Sequence, residues 1–378
     1  MADVPPARSS DAPPIPAGAT AQPLAYEAIE GFAADDHAAA FATFLVSCRA
    51  LLDSTAPLRA GLPPPPALAD VCAQALDHGP LDAGASRAFF ERHFAPWRIA
   101  GESGRAFYTG YFEPEVEGSL TRGGRYQTPV FDRPPDLVTF PQGEVPEGFE
   151  GYAAARRSAD GSLSIYPDRT EIEEGALAGL GLEHLYLADP VDLFFVQVQG
   201  SGRVRLPDGS VVRLAYSGRN GHPYTAIGRV VADRYDIPRS EMTMQRLRAF
   251  LAEDSERARA IMRENKSYVF FRIARELDPT LGPIGGEGVP LTPLRSLAVD
   301  RTLWPYGLPV FVGADLPTGP DGALEPFRRL MIAQDTGSAI VGPARADIFF
   351  GPGAAAGAIA GAVRHPGSFI VLWPKAAP

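Results

Sequence analysis

The sequence predicts a mainly β protein with helices near its start, and three observations support this fold class. Turn-forming residues are abundant: 39 Gly and 38 Pro occur among 378 residues, which favours many short strands over helical arrays or coiled coils. Apolar residues recur at helical spacing most clearly before residue 95. From Gly104 onward, most segments are β-rich and separated by glycine turns. A chain of this length folds as one large domain or as two ordinary ones.

Residues 1–30 are predicted to form a disordered leader. Pro, Ala and Ser dominate the first 23 residues, and no apolar periodicity is present there. No apolar run in the chain is long enough for a signal peptide or a membrane span. That absence agrees equally with a cytoplasmic protein and with a processed form of an exported one.

Three helices are predicted before residue 95: one around Cys48, one around Cys72, and one at Ala85–Phe94. The proline run at residues 63–66 separates the first two, so these helices are expected to be neighbours. Their cysteines form a disulfide if the protein is exported, or remain two buried thiols if it is not, and the sequence leaves both alternatives open. The six histidines are scattered, so no metal site is expected.

The middle of the chain reads as strands with one short helix. The segment from Gly104 to Phe131 is predicted to be a hairpin region. A helix is expected to open at Arg169, with Thr170 and Glu173 as its capping box. Residues 192–218 are predicted to be three strands, joined by a Gly-Ser-Gly turn at 200–202 and an Asp-Gly hairpin turn at 208–209.

The later part of the chain is predicted to contain two helices, at Thr243–Glu253 and Glu256–Asn265, followed by strands. The first of these strands is the apolar segment Ser267–Ile273, and the last is Phe369–Pro374. No internal repeat is present.

Two aspartates lie where apolar strand-forming residues surround them. Asp335 follows the apolar run 330–333, and Asp347 precedes Ile-Phe-Phe-Gly, twelve residues further on. Because Asp normally avoids strands, this placement indicates a chemical use; the alternative is that each residue caps a turn, which is the commonest role of Asp. The sequence Asp335-Thr336-Gly337 also matches the active-site loop of aspartic proteases. That chemistry needs two such loops, and the chain contains no second Asp-Thr-Gly, so a protease is a distant alternative.

Charge and composition favour a sugar ligand over nucleic acid. The formal net charge of −10 provides no basic surplus to neutralise phosphates, so no nucleic-acid partner is expected. Three segments, at 109–114, 198–203 and 216–229, interleave aromatic residues with amides, hydroxyls and arginine. Aromatic rings stack on the apolar faces of pyranoses, and amides bind hydroxyl and N-acetyl groups. Taken singly, each segment is more often a turn than a site.

Seven motifs in order resemble one family. TGYFEP, YPDR, VQGSG, YSGRNGHPYTAIG, SYVFF, PLTPLRSLAVD and DTGSAIVGPARADIFFG occur in this order in the family of membrane-bound lytic murein transglycosylase A. The resemblance extends over residues 100–375, and seven ordered motifs are far more specific than any one of them. One departure is Gly337-Ser338, where the family has Gly-Gly. The other is the missing lipoprotein signal.

The resemblance implies a discontinuous two-domain fold. A double-psi β-barrel catalytic domain would comprise residues 31–109 and 265–378, and a smaller β-rich substrate-binding domain would be inserted at 110–264. A sugar-binding groove is expected between them. Eight side chains match family motifs and suit sugars, and they are therefore the candidate groove residues: Thr109, Tyr111, Gln199, Ser201, Tyr216, Arg219, Asn220 and Tyr224.

The resemblance also implies the activity. The enzyme would cleave the β-1,4 bond between N-acetylmuramic acid and N-acetylglucosamine in peptidoglycan, with Asp347 as acid and then base, and form 1,6-anhydromuramoyl products. Burial among apolar neighbours and a nearby carboxylate such as Asp335 are expected to raise the pKa of Asp347. Asp335 is expected to support the reaction, and Arg219 to bind muramic acid carboxylates.

Further expectations concern cofactors, oligomeric state and cellular location. The resemblance implies no cofactor, a monomer, and a periplasmic enzyme that associates with the outer membrane in its full-length form. A non-catalytic peptidoglycan-binding module of the same fold is the main alternative, although the presence of both aspartates speaks against it.

Overall fold

The computed structural model describes residues 12–141, 144–239, 241–275, 278, 281–319 and 322–376. The chain divides into two compact units. The first unit contains Met1–Gly110, Ile284–Phe350 and Val363–Pro378, and the second contains Tyr111–Pro283 and Gly351–Ala362. Each unit therefore consists of more than one segment of the chain.

A closed six-stranded barrel forms the centre of the first unit. Its strands follow the order β17-β14-β15-β13-β16-β3, and β17 pairs with β3 to close the circle, while β2 and then β1 extend the sheet from β17. The strands of this sheet are β1 (Thr20–Pro23), β2 (Phe94–Ala100), β3 (Ala106–Glu113), β13 (Ser296–Val299), β14 (Pro309–Leu316), β15 (Glu325–Asp335), β16 (Arg345–Pro352) and β17 (Arg364–Pro374). The prediction of a mainly β fold with a barrel is confirmed.

The three predicted N-terminal helices are confirmed as α1 (His37–Leu52), α2 (Pro66–His78) and α3 (Ala83–His93), and they cover one side of this sheet. Their buried aromatic residues, among them Phe41, Phe44 and Phe90, share one apolar core with Phe311 of β14 and Ile370 of β17. Aspartates cap α1 and α3, because Asp36 and Asp82 each accept a hydrogen bond from a backbone N–H of the first turn. Burial of this apolar face holds the helices on the barrel.

Cys48 of α1 and Cys72 of α2 form a disulfide. The sequence left a disulfide and two free thiols as equal alternatives, and the structure selects the first. Both residues are fully buried, with 0% exposure, within the helical core. The covalent bond therefore joins the two helices at the centre of their contact.

The predicted disordered leader is wrong from Thr20 onward, whereas residues 1–11 lie outside the described residues. Strand β1 pairs antiparallel with β2, from Thr20 opposite Ala100 to Pro23 opposite Trp97. Short 3₁₀ turns follow at Tyr26–Ala28 and Phe32–Ala34. Phe32 is 1% exposed and belongs to the apolar core. Pairing with a strand distant in sequence stabilises this segment, and local composition does not reveal such pairing.

The second unit combines a six-stranded sheet, a three-stranded sheet and several helices. Its strands are β4 (Glu115–Ser119), β5 (Thr128–Phe131), β6 (Leu137–Thr139), β7 (Ala154–Arg157), β8 (Leu163–Ser164), β9 (Glu183–Leu187), β10 (Ser201–Arg205), β11 (Val211–Arg219) and β12 (Val269–Ile273). Its helices are α4 (Arg169–Glu171), α5 (Pro190–Gln199), α6 (Ile227–Arg234), α7 (Met244–Ala252), α8 (Ser255–Arg263) and α9 (Gly353–Ala360). Sheet order is β12-β11-β10-β4-β9-β5 and β6-β7-β8.

The first of the three strands predicted in residues 192–218 is a helix, α5. Its apolar residues are aromatic and β-branched, which favoured a strand, but the ends of the segment carry helix signals. Asp189 accepts a hydrogen bond from the Val191 N–H, Pro190 occupies the first turn, and Gly200 ends the helix at φ +83°. The other two strands and the hairpin turn are confirmed as β10 and β11.

Two other predicted details are wrong. The capping box at α4 is formed by Asp168 and Glu171, because each side chain accepts a hydrogen bond from the backbone N–H of the other. The predicted hairpin after Gly104 is absent: β3 pairs with β17, whereas β4 pairs with β9 and β10. Pro114, which has no N–H, separates β3 from β4.

The predicted helices of residues 243–265 and the strand at 267–273 are confirmed as α7, α8 and β12. The division into units differs from the expected domain boundary after residue 264. Strand β12 pairs with β11 and therefore belongs to the second unit, which continues to Pro283. No helix within the described ranges is both long and apolar enough to cross a membrane.

Candidate active site

Strand β13 brings the two predicted aspartates to neighbouring positions in the barrel. Ala298 lies opposite Asp335 on the parallel strand β15 and opposite Asp347 on the antiparallel strand β16. Side chains that lie opposite one another on paired strands point to the same face of the sheet, so both carboxylates lie on the face of Ala298. Two strand spacings separate their α-carbons by roughly 10 Å.

A register shift on β15 determines which residue of that strand lies beside Ala298. Leu297 lies opposite Ala333, but the next residue, Ala298, lies opposite Asp335, so Gln334 is the extra residue of a bulge. A bulge moves the following side chain to the other face of its strand. Without it, Gln334 and not Asp335 would lie beside Ala298.

Asp347 is held by a hydroxyl, and that hydroxyl is held in turn by a guanidinium. Thr109 of β3 donates a hydrogen bond to Asp347 Oδ1 at 2.7 Å, and Arg345 Nη2 donates one to Thr109 Oγ1 at 2.7 Å. Because Arg345 occupies one lone pair of the Thr109 oxygen, the hydroxyl proton is directed at Asp347 Oδ1.

The pKa of Asp347 is raised to about 6. Burial is the main cause, because the charged carboxylate loses water. The positive charge of Arg345 and the hydrogen bond from Thr109 lower the pKa, and the like charge of Asp335 raises it. The side chain is half-buried, so a reactant can still reach it. The predicted direction of this shift and both of its predicted causes are confirmed.

Asp335 binds backbone amides at the end of β15. Its Oδ1 accepts hydrogen bonds from the Gly286 N–H at 2.7 Å and from the Thr336 N–H at 2.8 Å. A Cβ at Gly286 would lie 2.7 Å from the Tyr306 hydroxyl, so only glycine permits this approach. Asp335 therefore fixes the loop around Gly286 against β15.

The residue after Gly286 in this loop carries a buried carboxyl. Glu287 is 6% exposed, its N–H donates to the Gln334 carbonyl at 3.0 Å, and its Oε2 accepts a hydrogen bond from Ser47 of α1 at 2.7 Å. Gln334, the bulge residue, donates to the same Ser47 oxygen at 2.9 Å and accepts a hydrogen bond from Ser296 at 2.5 Å. Burial raises the pKa of Glu287 to about 8. The network connects helix α1 to the bulge that positions Asp335.

Of the ten predicted site residues, the structure brings Thr109, Asp335 and Asp347 together in the first unit. The others lie in the second unit. Gln199, at the end of α5, accepts a hydrogen bond from the Phe112 N–H at 3.1 Å. Ser201 is 7% exposed at the start of β10, and Tyr224 is 37% exposed. Tyr111, Tyr216 and Arg219 are half-buried.

Asn220 is an exception, because it is fully buried and its amide is occupied. Its Nδ2 donates to the carbonyls of Pro167 and Lys266, and its Oδ1 accepts from the Tyr268 N–H. These bonds join three segments of the second unit and leave no exposed surface for a ligand. The prediction that Asn220 lines a groove is therefore corrected to a structural role.

Sequence reasoning missed Arg345, Gly286 and Glu287. Arg345 could have been found, because residues two apart on a strand point to the same face and Arg345 lies two before Asp347. Gly286 and Glu287 reach the site only through the tertiary fold, and their local sequence carries no signal. In the described part of the chain, no group of three or more His, Cys, Asp or Glu is arranged to hold a metal ion.

Two family models match the chain. The model of the MltA specific insert domain matches residues 107–272, and the model of the 3D domain matches residues 295–373. The first match ends near β12 and the second contains both aspartates.

Known proteins and solved structures resemble most of the chain. Membrane-bound lytic murein transglycosylase A of Vibrio cholerae is 32% identical over 271 residues, which are 70% of this chain and 65% of that relative. This chain thus spans about two thirds of the length of that relative. The crystal structure of a membrane-bound lytic murein transglycosylase from Agrobacterium tumefaciens is 38% identical with a TM-score of 0.84, and the match covers 94% of this chain and 98% of that one. Escherichia coli MltA with bound chitohexaose is 28% identical with a TM-score of 0.65, and 90% of each chain is covered.

Proposed function

The chain belongs to the family of membrane-bound lytic murein transglycosylase A, and from this membership we propose that it is a lytic transglycosylase of peptidoglycan. It cleaves the β-1,4 bond between N-acetylmuramic acid and N-acetylglucosamine and leaves a 1,6-anhydromuramoyl end. The observation that carries this proposal is the environment of Asp347. This half-buried carboxylic acid has a pKa of about 6 and accepts a hydrogen bond from Thr109, which accepts one in turn from Arg345.

In the first step, Asp347 acts as a general acid. A carboxyl with a pKa near 6 is partly protonated close to neutral pH, which is what protonation of a glycosidic oxygen requires. The proton leaves Oδ2, because Oδ1 accepts the Thr109 hydrogen bond. The bond from the muramoyl C1 to the glycosidic oxygen breaks, the N-acetylglucosamine leaves with a new hydroxyl, and positive charge develops at C1.

In the second step, Asp347 acts as a general base. The carboxylate takes the proton of the muramoyl 6-hydroxyl as that oxygen forms a bond to C1 and closes the 1,6-anhydro ring. The acid is thereby regenerated, no water is consumed, and a second catalytic carboxylate is not required. The Thr109 hydrogen bond stabilises the carboxylate between the two steps.

Asp335 acts as a supporting residue in this proposal. Its Oδ1 is engaged with two backbone amides, which suits it to hold the loop and not to exchange protons with substrate. Its charge contributes to the raised pKa of Asp347. The aspartic protease alternative gains no support, because Asp347 does not lie in a second Asp-Thr-Gly loop.

The second unit supplies sugar recognition in this proposal. Escherichia coli MltA has been solved with chitohexaose, a β-1,4 chain of N-acetylglucosamine, and this chain is expected to bind the same type of glycan. Tyr111, Tyr216 and Tyr224 offer rings, and Arg219 offers a cation for the carboxylates of muramic acid.

The Cys48–Cys72 disulfide supports a location outside the reducing cytoplasm. We place the enzyme in the periplasm, where peptidoglycan lies, in association with the outer membrane as the names of its relatives indicate a membrane-bound protein. The proposed working state is a monomer.

The test is the mass of products released from purified murein. Anhydromuropeptides are lighter by one water than the products of hydrolysis, so mass spectrometry separates the two outcomes directly. Products with reducing ends alone would make the protein a hydrolase. No released product from the native chain, together with retained murein binding, would favour the non-catalytic module.

A further inference from the structure

The strands that carry Thr109 and Asp347 are neighbours in the barrel and have one buried and one accessible face. On β3, Ala106 and Tyr108 are buried, with 2% and 0% exposure, whereas Phe107 and Thr109 are not. On β16, Ala346 and Ile348 are buried at 0%, whereas Arg345 and Asp347 are half-buried. The backbone joins the strands here, since the Phe107 N–H donates to the Ala344 carbonyl at 2.9 Å. The period of two therefore places Phe107, Thr109, Arg345 and Asp347 on one accessible face.

Phe107 is an aromatic residue with an unusual position on this face. It is 44% exposed, although its neighbours on the same strand are fully buried. The Arg345 guanidinium lies over its ring, 5.6 Å from the centroid. The same guanidinium donates to Thr109, which donates to Asp347. The ring is thus joined to the acid by an unbroken series of three contacts.

The geometry matches the spacing between an acid and a neighbouring sugar. Residues two apart on a strand are separated by roughly 7 Å, so Phe107 lies about the length of one pyranose ring from Thr109. An exposed ring stacks on the apolar face of a pyranose, and the guanidinium beside it can donate to the hydroxyl and N-acetyl oxygens at the edge of that sugar. Stacking of Arg345 on Phe107 holds both groups in position before a ligand arrives.

We propose that Phe107 and Arg345 form a sugar subsite beside Asp347, occupied by an N-acetylhexosamine ring of the glycan strand. This inference rests on the proposed function and adds a subsite in the first unit, outside the motifs that indicated sugar binding. Phe107 gives stacking affinity, and Arg345 couples ring binding to the orientation of Thr109.

The test compares Phe107→Ala with Phe107→Trp, because removal of the ring should weaken substrate binding, whereas its replacement by another ring should preserve it. For turnover of murein, Phe107→Ala is expected to raise KM about tenfold with kcat changed less than threefold, as loss of stacking predicts. Phe107→Trp should keep KM within about threefold of the native value. Leu324→Ala is the matched control, because Leu324 is 59% exposed and lies in the same unit but on neither β3 nor β16.

Binding is measured separately with chitohexaose and chains that carry Asp347→Asn. Phe107→Ala in this background should weaken chitohexaose binding about tenfold, and Phe107→Trp should bind with a change in tryptophan fluorescence. Unchanged KM and unchanged chitohexaose affinity in folded Phe107→Ala would overturn the subsite while the product assay still stands. Conversely, reducing-end products from the native chain would overturn the proposed reaction while the binding result still reports on Phe107.

Discussion

At the scale of the residue, the proposed reaction uses one carboxyl, that of Asp347, as both acid and base. Asp347→Asn keeps the size of the side chain but removes the proton donor and the later base. Turnover of murein should fall roughly a thousandfold or more, while murein binding and the melting temperature are preserved. The measurement is anhydromuropeptide release by mass spectrometry beside a pull-down with murein. Substantial activity in Asp347→Asn, with none in Asp335→Asn, would invert the roles of the two aspartates.

Two neighbours should shift the pH profile of Asp347 in opposite directions. The Thr109 hydrogen bond lowers the pKa of Asp347, so Thr109→Val should raise it and extend activity to higher pH, because the proposed reaction starts from the protonated acid. The charge of Asp335 raises this pKa, so Asp335→Asn should lower it and move the optimum to lower pH. Profiles of kcat/KM against pH measure both shifts. Shifts of the same sign in the two variants would contradict this account of the site.

Glu287 gives a prediction about stability. Its pKa is raised from 4.5 to about 8 in the folded chain, so the unfolded chain loses this proton near pH 4.5 while the folded chain keeps it until about pH 8. The folded state binds more protons in this window, and the contribution of Glu287 to stability therefore falls as pH rises from about 4.5 to about 8. The free energy of unfolding, measured in urea, should therefore fall between pH 5 and pH 8 by a few kcal/mol less in Glu287→Gln than in the native chain. The control Glu102→Gln, at an exposed turn, should keep the native pH dependence.

Prediction from the sequence was uneven at this scale. Asp347 and Asp335 broke the composition expected of strands, and the family resemblance added Thr109. Glu287 and Gly286 could not be predicted, because their proximity to Asp335 depends on the fold of residues 284–288 against β15. Asn220 was misassigned because a motif that suits sugars also suits the capping of backbone groups, and only burial distinguishes the two.

At the scale of the element, the bond between α1 and α2 should be a main source of stability for the helical layer. The Cys48→Ser, Cys72→Ser double variant should lose about 2 to 4 kcal/mol of unfolding free energy, since the bond closes a loop with a sequence separation of 24. Urea unfolding measures the loss. Dithiothreitol should lower the stability of the native chain by a similar amount and leave the double variant unchanged. An equal response of both proteins would show that the reductant acts elsewhere.

Secondary structure was predictable where local signals agreed. Helices α1, α2, α3, α7 and α8 have apolar spacing of three and four, and the β10–β11 hairpin has an Asp-Gly turn. Helix α5 was misread because its aromatic and β-branched residues outweighed Asp189, Pro190 and Gly200 at its ends. Strand β1 was missed because its stability comes from pairing with β2, about eighty residues later.

At the scale of the whole molecule, each unit has its own apolar core. The core around Phe41 and Phe311 lies in the first unit, and three further clusters lie in the second. Calorimetry should therefore resolve two components in thermal unfolding. Reductant should move only one of them, because the disulfide lies in the first unit. A single transition with equal calorimetric and van't Hoff enthalpies would contradict this expectation.

The barrel itself was predictable only through the resemblance. Closure depends on pairing of β3 with β17, which are separated by about 250 residues, and no local pattern encodes such a pair. The composition did predict that the protein is mainly β, but it placed the start of β structure near Gly104, whereas β1 begins at Thr20 and β2 at Phe94. The composition carried no information on which later segments of the chain belong to the first unit and not to the second.

The interleaved order of the segments has a consequence for biosynthesis. Strand β17 pairs with β2, β14 and β3, and it is the last strand of the described chain. During synthesis, the second unit can be complete before β17 has been made. At that stage the sheet of the first unit is still open and its apolar core is exposed. A translation stop shortly before residue 364 would leave the first unit permanently in this incomplete state. Such a product would retain both aspartates and Thr109 but lack the strand that closes the barrel around them, and quality-control proteases should remove it.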